Sequence, residues 1–194
     1  MMRPRFFLPM AERERLLDRL LFICDARHFE DSEPLGMSWG WLTTQPEGQF
    51  LERKSCYDQT GRTPRPRPIK EVARDVAEAL AAMANADGGT VVLGIEDDGT
   101  VSGVPDKYPE TIWKQIQGLI RPQLNFRFVK IGLEGRRVWI FETDWSAEAH
   151  QLTDGRYLLR VGSQNLPFPA RDIEAMKRSR LERATYLAGQ LDRP

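Results

Sequence analysis

Residues 69–95 of this 194-residue chain read IKEVARDVAEALAAMANADGGTVVLGI. Apolar residues recur every three or four positions in the first part, which predicts an amphipathic helix with one buried face. These positions are Ile69, Val72, Val76, Leu80 and Met83. The run Asp87-Gly88-Gly89 predicts the end of that helix, because glycine favours the left-handed conformation found just beyond a helix. Thr90–Ile95 is almost continuously apolar, as is typical of a strand buried on both faces. A helix packed on a central strand is therefore the expected centre of the fold.

Helices and strands also alternate on both sides of this pair. Apolar spacing and turn residues predict helices over residues 11–28, 109–120 and from 170 into the 180s, and strands over residues 49–54, 100–104, 126–133, 137–143 and 156–161. This order predicts an α/β (α+β mixed) sandwich with one main mixed sheet and packed helices. We expect an N-terminal helical extension over residues 1–45, one domain over residues 46–178 and a helical tail over residues 179–194.

Composition and charge restrict the class of protein. The 28 basic and 28 acidic side chains give a formal net charge of zero, so a nucleic-acid-binding role would need a local basic surface. The chain has two cysteines, and no apolar run approaches the roughly 20 residues that span a bilayer. We see no secretion signal. These features predict a soluble, cytoplasmic protein without membrane contact or a disulfide framework.

Several common catalytic motifs are absent from the sequence. It contains no GxxxxGK[ST] loop, GxGxxG turn, HExxH helix or GxSxG elbow, and its two isolated histidines do not make a typical zinc site. We therefore expect no organic cofactor. Carboxylates and basic side chains remain as the groups able to carry chemistry.

Three blocks of sequence nevertheless stand in a characteristic order. They are EGQFLERK at residues 47–54, ANADGGTVVLGIEDDGTVSG at residues 84–103 and GRYLLRVGS at residues 155–163. Together they resemble the Schlafen AlbA-2 domain family, over about residues 46–178. The resemblance implies an Alba-like sandwich that handles RNA or DNA. Arg53 departs from the family pattern, in which the residue between the second glutamate and the lysine is usually apolar.

The resemblance also implies a set of acidic site residues. Animal Schlafens pair two such domains into a groove that cleaves structured RNA with acids. Glu47 and Glu52 match the acids of the first block, and either Glu96 or Asp97 matches the third acid. As catalytic residues these carboxylates would hold Mg²⁺ or Mn²⁺, which activates water for phosphodiester cleavage. A structural interpretation stays open, in which Glu52 pairs with Lys54 and Asp97 only belongs to a turn.

A basic segment over residues 53–70 overlaps the end of the first block and contains only Asp58 as an acidic residue. Its cations are Arg53, Lys54, Arg62, Arg65, Arg67 and Lys70. Three prolines at alternate positions keep part of this segment extended, so that its arginines could follow a phosphate backbone. Arg160 in the last predicted strand is a separate candidate for phosphate contact. The alternatives are a solvated loop for the segment and a structural ion pair for Arg160.

The sequence thus favours a nucleic-acid-binding domain, with a metal-dependent endoribonuclease of Schlafen type as its catalytic form. Three alternatives stay open: a catalytically inactive DNA-binding or transcription-regulatory module, a nucleotide-binding signalling domain, and an oligomerisation domain. A homodimer would supply the second domain of a groove, by analogy alone. The charged C-terminal helix leaves open that the chain is a fragment of a longer protein.

Overall fold

The computed structural model describes residues 39–61 and 63–191, with side chains as far as residue 186. The predicted helix over residues 11–28 and Arg62 lie outside these residues, and the domain boundaries stay predictions. The helices are α1 (Trp41–Thr44), α2 (Ile69–Asn85), α3 (Ile112–Gly118) and α4 (Ala170–Leu191). The strands are β1 (Leu51–Lys54), β2 (Tyr57–Asp58), β3 (Arg65–Pro66), β4 (Gly88–Leu93), β5 (Ile120–Arg121), β6 (Arg127–Leu133), β7 (Arg136–Asp144), β8 (Gln151–Leu152), β9 (Leu158–Val161) and β10 (Gln164–Pro167).

Four strands form the main sheet, in the order β1-β4-β7-β6. β1 runs parallel to β4, whereas the β4–β7 and β7–β6 pairs are antiparallel, so the sheet is mixed. Within the described residues, β2 pairs with β3, β5 with β8 and β9 with β10 in separate two-stranded ladders. The predicted mixed α/β fold with one main sheet is confirmed.

The predicted helix and strand at the centre are α2 and β4, which pack against each other. Val91 and Leu93 belong to the hydrophobic core on the α2 side of the sheet, and Val92 belongs to the core on the opposite side. Successive side chains of a strand point to opposite faces, so a continuous apolar run requires an apolar layer on each face. All three side chains are fully buried, and each contributes about 1.5–3 kcal/mol of hydrophobic stabilisation. The prediction of a central buried strand is confirmed.

The central strand starts two residues earlier than predicted, at Gly88. This residue has a φ of 79°, and a Cβ added to it would lie 2.7 Å from the carbonyl oxygen of Thr143 on β7. Glycine is therefore required by both the backbone conformation and the close approach of β7. The turn glycine that ends the helix thus also belongs to the sheet.

Two elements near the ends of strands also differ from the sequence prediction. The expected strand over residues 100–104 is reduced to a single bridge between Ile95 and Val101. The hairpin strand β10 was not anticipated, because Gln164–Pro167 lacks the apolar alternation of a half-buried strand. Its pairing with β9 depends on backbone hydrogen bonds rather than on an apolar pattern.

In the part of the chain that the structure describes, no helix is both long enough and apolar enough to cross a membrane.

Candidate nucleic-acid site

The acids of the first two sequence blocks meet at one edge of the sheet. β1 and β4 are parallel neighbours, with Lys54 opposite Leu93, so both strands end at the same edge. Glu52 lies on β1, and Glu96 follows the end of β4. Ligand sites in sheets with parallel strands commonly form beyond the carboxyl ends of those strands. This edge is therefore the candidate site.

Glu52 is a buried carboxylate between two cations, with 5% of its surface exposed. Its Oε1 accepts a hydrogen bond from Lys54 Nζ, and its Oε2 lies 2.5 Å from Arg160 Nη2. The second contact is close enough for an ion pair but lacks hydrogen-bond geometry, so Oε2 has no hydrogen-bond donor among the described residues. The ion pair expected in the structural interpretation of Glu52 is present, with Arg160 as a second cation.

Glu47 precedes β1 and is half-buried. Its Oε1 accepts a hydrogen bond of 2.6 Å from the backbone nitrogen of Arg53. Burial raises the pKa of Glu47 and the charges of Glu52 and Asp97 raise it further, whereas the hydrogen bond from Arg53 and the charge of Lys54 lower it. Glu52 and Asp97 are thus close enough to Glu47 to act on it electrostatically.

Glu96 and Asp97, between which the sequence left the third acid open, have different surroundings. Glu96 Oε1 accepts a hydrogen bond of 2.8 Å from Ser55 Oγ. Asp97 is exposed, in the turn closed by the hydrogen bond from Gly99 N to the carbonyl oxygen of Glu96. Asp97 is the acid of this pair whose charge acts on Glu47. The expected turn is present, and the effect on Glu47 favours Asp97 over Glu96 as the third acid.

An open cleft of about 800 Å³ lies beside Glu96 and Asp97, whereas Glu47 and Glu52 are not part of its lining. Arg65 and Arg67 from the proline-rich segment form its basic wall, and Glu96 and Asp97 from the turn after β4 also line it. The remaining lining residues are Ser55, Tyr57, Asp58, Gln59, Pro66, Pro68, Glu71 and Asp98. Acids outnumber arginines in this lining, so the cleft is basic only along the proline-rich wall.

Arg53 and Arg160, two predicted phosphate contacts, are buried. Arg53 donates from Nε to the carbonyl oxygen of Leu42 at 2.8 Å and from Nη2 to that of Gln45. Arg160 has a side chain with 0% exposure and donates to the carbonyl oxygens of Gly48 and Leu51. Both guanidinium groups bind the protein's own backbone, because a buried arginine needs acceptors for its donors. This placement gives them structural positions rather than a surface for phosphate.

The other predicted cations lie nearer to solvent. Arg65 and Lys70 are exposed, and Lys54 keeps 27% of its side chain exposed beside Glu52. Arg67 is partly buried, and its Nη2 forms an ion pair of 2.8 Å with Asp75. Arg62 lies outside the described residues. Arg65, Lys70 and Lys54 therefore remain as accessible candidates for phosphate contact.

The predicted Mg²⁺ or Mn²⁺ site does not fit the arrangement of these acids. Among residues 39–61 and 63–191, no three histidine, cysteine, aspartate or glutamate side chains are placed to hold one ion. Glu52 Oε2 is enclosed and lies beside the guanidinium of Arg160, which would repel a second cation. Glu47, Glu52 and Asp97 are therefore not a preformed metal site.

Gln49 is a structural residue of the site that the sequence did not reveal. Its Nε2 donates to Asp87 Oδ2 and to the carbonyl oxygen of Arg160, each at 3.0 Å, and its Oε1 accepts from Gly162 N at 2.8 Å. The side chain thus ties the segment before β1 to β9, more than a hundred residues later. Nothing in the local sequence of Gln49 indicates these contacts, because all of its partners are distant in the chain.

Fold and site together define a mixed α/β domain with acids and cations at the end of a parallel strand pair. A sequence model of the family described as Schlafen, AlbA_2 matches residues 47–169. The match covers more than half of the chain, and the chain belongs to the Schlafen AlbA_2 family. The predicted family is therefore confirmed, and the family points to a nucleic-acid-binding domain.

One similar solved structure is that of the DIP2311 protein from Corynebacterium diphtheriae. The two chains are 23% identical, with a TM-score of 0.54, over 81% of this chain and 27% of that chain. This chain thus spans about a quarter of the length of that protein, and the likeness supports the fold. A search of curated proteins found no match.

Proposed function

We propose that this domain binds RNA or DNA at the edge of the sheet where β1 and β4 end. The observation that carries the proposal is the basic wall of the cleft, formed by Arg65 and Arg67. Lys70 is exposed nearby, on the first turn of α2. The paired N–H donors of a guanidinium group match the geometry of phosphate oxygens. Contacts of basic side chains with phosphates supply most of the sequence-independent affinity for nucleic acid.

The side chains of the basic wall have two different tasks. Arg67 is ion-paired with Asp75 and donates to the carbonyl oxygen of Ser55 at 3.4 Å, so it holds the extended segment against α2. Arg65 is exposed and keeps its guanidinium available to solvent. Because the acids of the cleft lining repel phosphate, the phosphate backbone is expected along Arg65 and Lys70.

The test is a fluorescence anisotropy titration with labelled stem-loop RNA, single-stranded DNA and duplex DNA over a range of salt concentrations. Replacing Arg65 and Lys70 together with Ala should weaken binding and lower the slope of log K against log salt by about 0.9 per lost phosphate contact on duplex DNA. Arg178→Ala, which removes an exposed cation from α4, is the matched control. An unchanged slope in the double variant would exclude this surface, and wild-type protein that binds none of the probes would disprove the function.

A second candidate is nuclease activity of Schlafen type, which the placement of Glu52 on β1 and of Asp97 after β4, at one edge of the sheet, favours. The assay incubates stem-loop RNA with the protein and Mn²⁺, Mg²⁺ or EDTA. Asp97→Asn should lower any cleavage about 100-fold or more, whereas Asp144→Asn, an exposed aspartate at the end of β7, should leave it unchanged. Absence of cleavage by the wild-type protein with either metal would favour the inactive DNA-binding or regulatory module. The homodimer stays a prediction.

A further inference from the structure

The buried Arg160 binds both ends of the segment that joins the first two acids of the site. Its Nε and Nη2 donate to the carbonyl oxygen of Gly48 at 3.0 and 2.8 Å, and its Nη2 also donates to that of Leu51 at 3.1 Å. Gly48 follows Glu47 directly and Leu51 precedes Glu52 directly. One guanidinium group therefore fixes the backbone at both ends of the turn between the two acids.

The same guanidinium group shares the charge of Glu52 with Lys54. Glu52 binds Lys54 through Oε1 and meets Arg160 through Oε2. Glu52 carries one negative charge, whereas Lys54 and Arg160 each carry one positive charge. The three side chains together therefore carry an excess positive charge. Arg160 is fully buried, whereas Lys54 is 27% exposed. The excess charge consequently reaches solvent at Lys54.

The surrounding acids make this excess charge important. Glu52, Asp97 and Lys54 all lie near enough to Glu47 to affect its pKa. Lys54 alone, among three carboxylates, would stand in a strongly anionic region that repels phosphate. The buried charge of Arg160 makes the electrostatic potential around Lys54 less negative. Arg160 also occupies Oε2 of Glu52, so that Lys54 binds this carboxylate through Oε1 alone.

We propose that Arg160 is a positioning residue that makes the ammonium group of Lys54 available to a phosphate of bound nucleic acid. Arg160 acts through Glu52 and the Gly48–Leu51 turn and does not touch the ligand. The inference rests on the proposed nucleic-acid binding and adds Lys54 to Arg65 and Lys70 as a phosphate contact at this edge.

The test is a double-mutant cycle between Arg160 and Lys54, with stem-loop RNA as the anisotropy probe at low salt. Arg160→Lys keeps the buried charge but not the planar fork that reaches several acceptors at once. It should weaken RNA binding on the order of 5-fold in the presence of Lys54 and less than about 2-fold in the Lys54→Ala background. A purely structural role would give the same loss in both backgrounds, and that result would overturn the inference.

A second variant keeps the test decisive if thermal melting shows that Arg160→Lys does not fold. Asn165→Ala removes the side-chain amide whose oxygen accepts from Arg160 Nη1 at 3.0 Å and leaves all charges in place. It should show the same dependence on Lys54, with a smaller loss of about 2-fold. An equal effect with and without Lys54, or no effect in a folded variant, would overturn this inference and leave the proposed function in place. Failure of the wild-type protein to bind any probe would instead remove the proposed function.

Discussion

The arginines of this protein occupy two regions that differ in nearly every physical respect. Arg53 on β1 and Arg160 on β9 are almost without exposure and bind backbone carbonyl groups. Arg65 lies about a dozen positions after Arg53, in the proline-rich segment, and is exposed. The comparison shows that a basic residue near an acidic motif is not by itself a phosphate contact. Its role depends on whether its donors are already used by the protein.

Burial explains the difference in energetic terms. A guanidinium group removed from water loses its hydration and must recover the loss through hydrogen bonds and an ion pair. Arg160 finds these partners in Glu52, Gly48, Leu51 and Asn165. An exposed arginine such as Arg65 stays hydrated and can exchange water for a phosphate without disturbing the fold. The buried region is therefore expected to control stability and the exposed region to control binding.

The largest expected difference between the two regions is in stability. Arg160→Met would leave the buried carboxylate of Glu52 without one of its cations and should lower the free energy of unfolding by about 3–5 kcal/mol. Arg65→Ala, the matched exposed substitution, should change it by less than about 0.5 kcal/mol. Urea denaturation of both variants measures the contrast. Similar values for the two variants would show that Glu52 is compensated without Arg160.

A smaller effect is expected at Arg53, which sharpens the comparison within the buried region. Arg53→Met leaves the carbonyl oxygens of Leu42 and Gln45 without this donor, but it leaves no buried carboxylate unpaired. The expected loss is about 1–3 kcal/mol, the cost of unsatisfied polar groups. The same urea titration checks the order of the two buried arginines. A loss at Arg53 as large as that at Arg160 would contradict the importance of the ion pair with Glu52.

The smallest expected effect on stability concerns Glu47, which is half-buried and accepts a hydrogen bond from the backbone nitrogen of Arg53. Its raised pKa means that the folded protein favours the protonated form, so the associated stability is present below the ordinary value of 4.5 and is lost as the pH rises through the raised value. Glu47→Gln keeps an acceptor for Arg53 N and removes the charge. It should raise the melting temperature at pH 7 by less than about 2 °C, because partial exposure screens the charge.

The control for Glu47 is the same measurement at pH 4, where the advantage of Glu47→Gln should shrink. A variant that is stabilised equally at both values of pH would indicate an effect of packing rather than of charge. A variant that is less stable at pH 7 would show that the hydrogen bond to Arg53 needs the carboxylate, and that this contact outweighs the burial of the charge.

The fold was largely predictable because its main signals are local. The apolar spacing of α2, the glycines after it and the continuous apolar run of β4 each lie within a few residues of one another. The hairpin strand β10 was missed because its polar residues carry no such pattern. Helix α3 is also shorter than predicted. It covers Ile112–Gly118, whereas the sequence predicted a helix over residues 109–120.

The candidate site was predictable only in part. The sequence indicated Glu47, Glu52 and the turn after β4, and the structure brings Asp97 into electrostatic reach of Glu47. The sequence also treated Arg53 and Arg160 as possible surface cations, since charge and spacing alone do not reveal burial. Strand β1 is buried along most of its length, so polar residues within it had to find partners inside the protein.

The sequence by itself determined the central helix and strand, the acidic motifs and membership of the Schlafen AlbA_2 family. Only the tertiary structure decided that Glu52 lies between Lys54 and Arg160, and that Gln49 binds β9. Arg160 and Glu52 are 108 positions apart in the chain. Local patterns act over a few residues, whereas the environment of a charge depends on whichever strands the fold places beside it. The burial of an ionic group is therefore a property of the assembled sheet and not of its sequence motif.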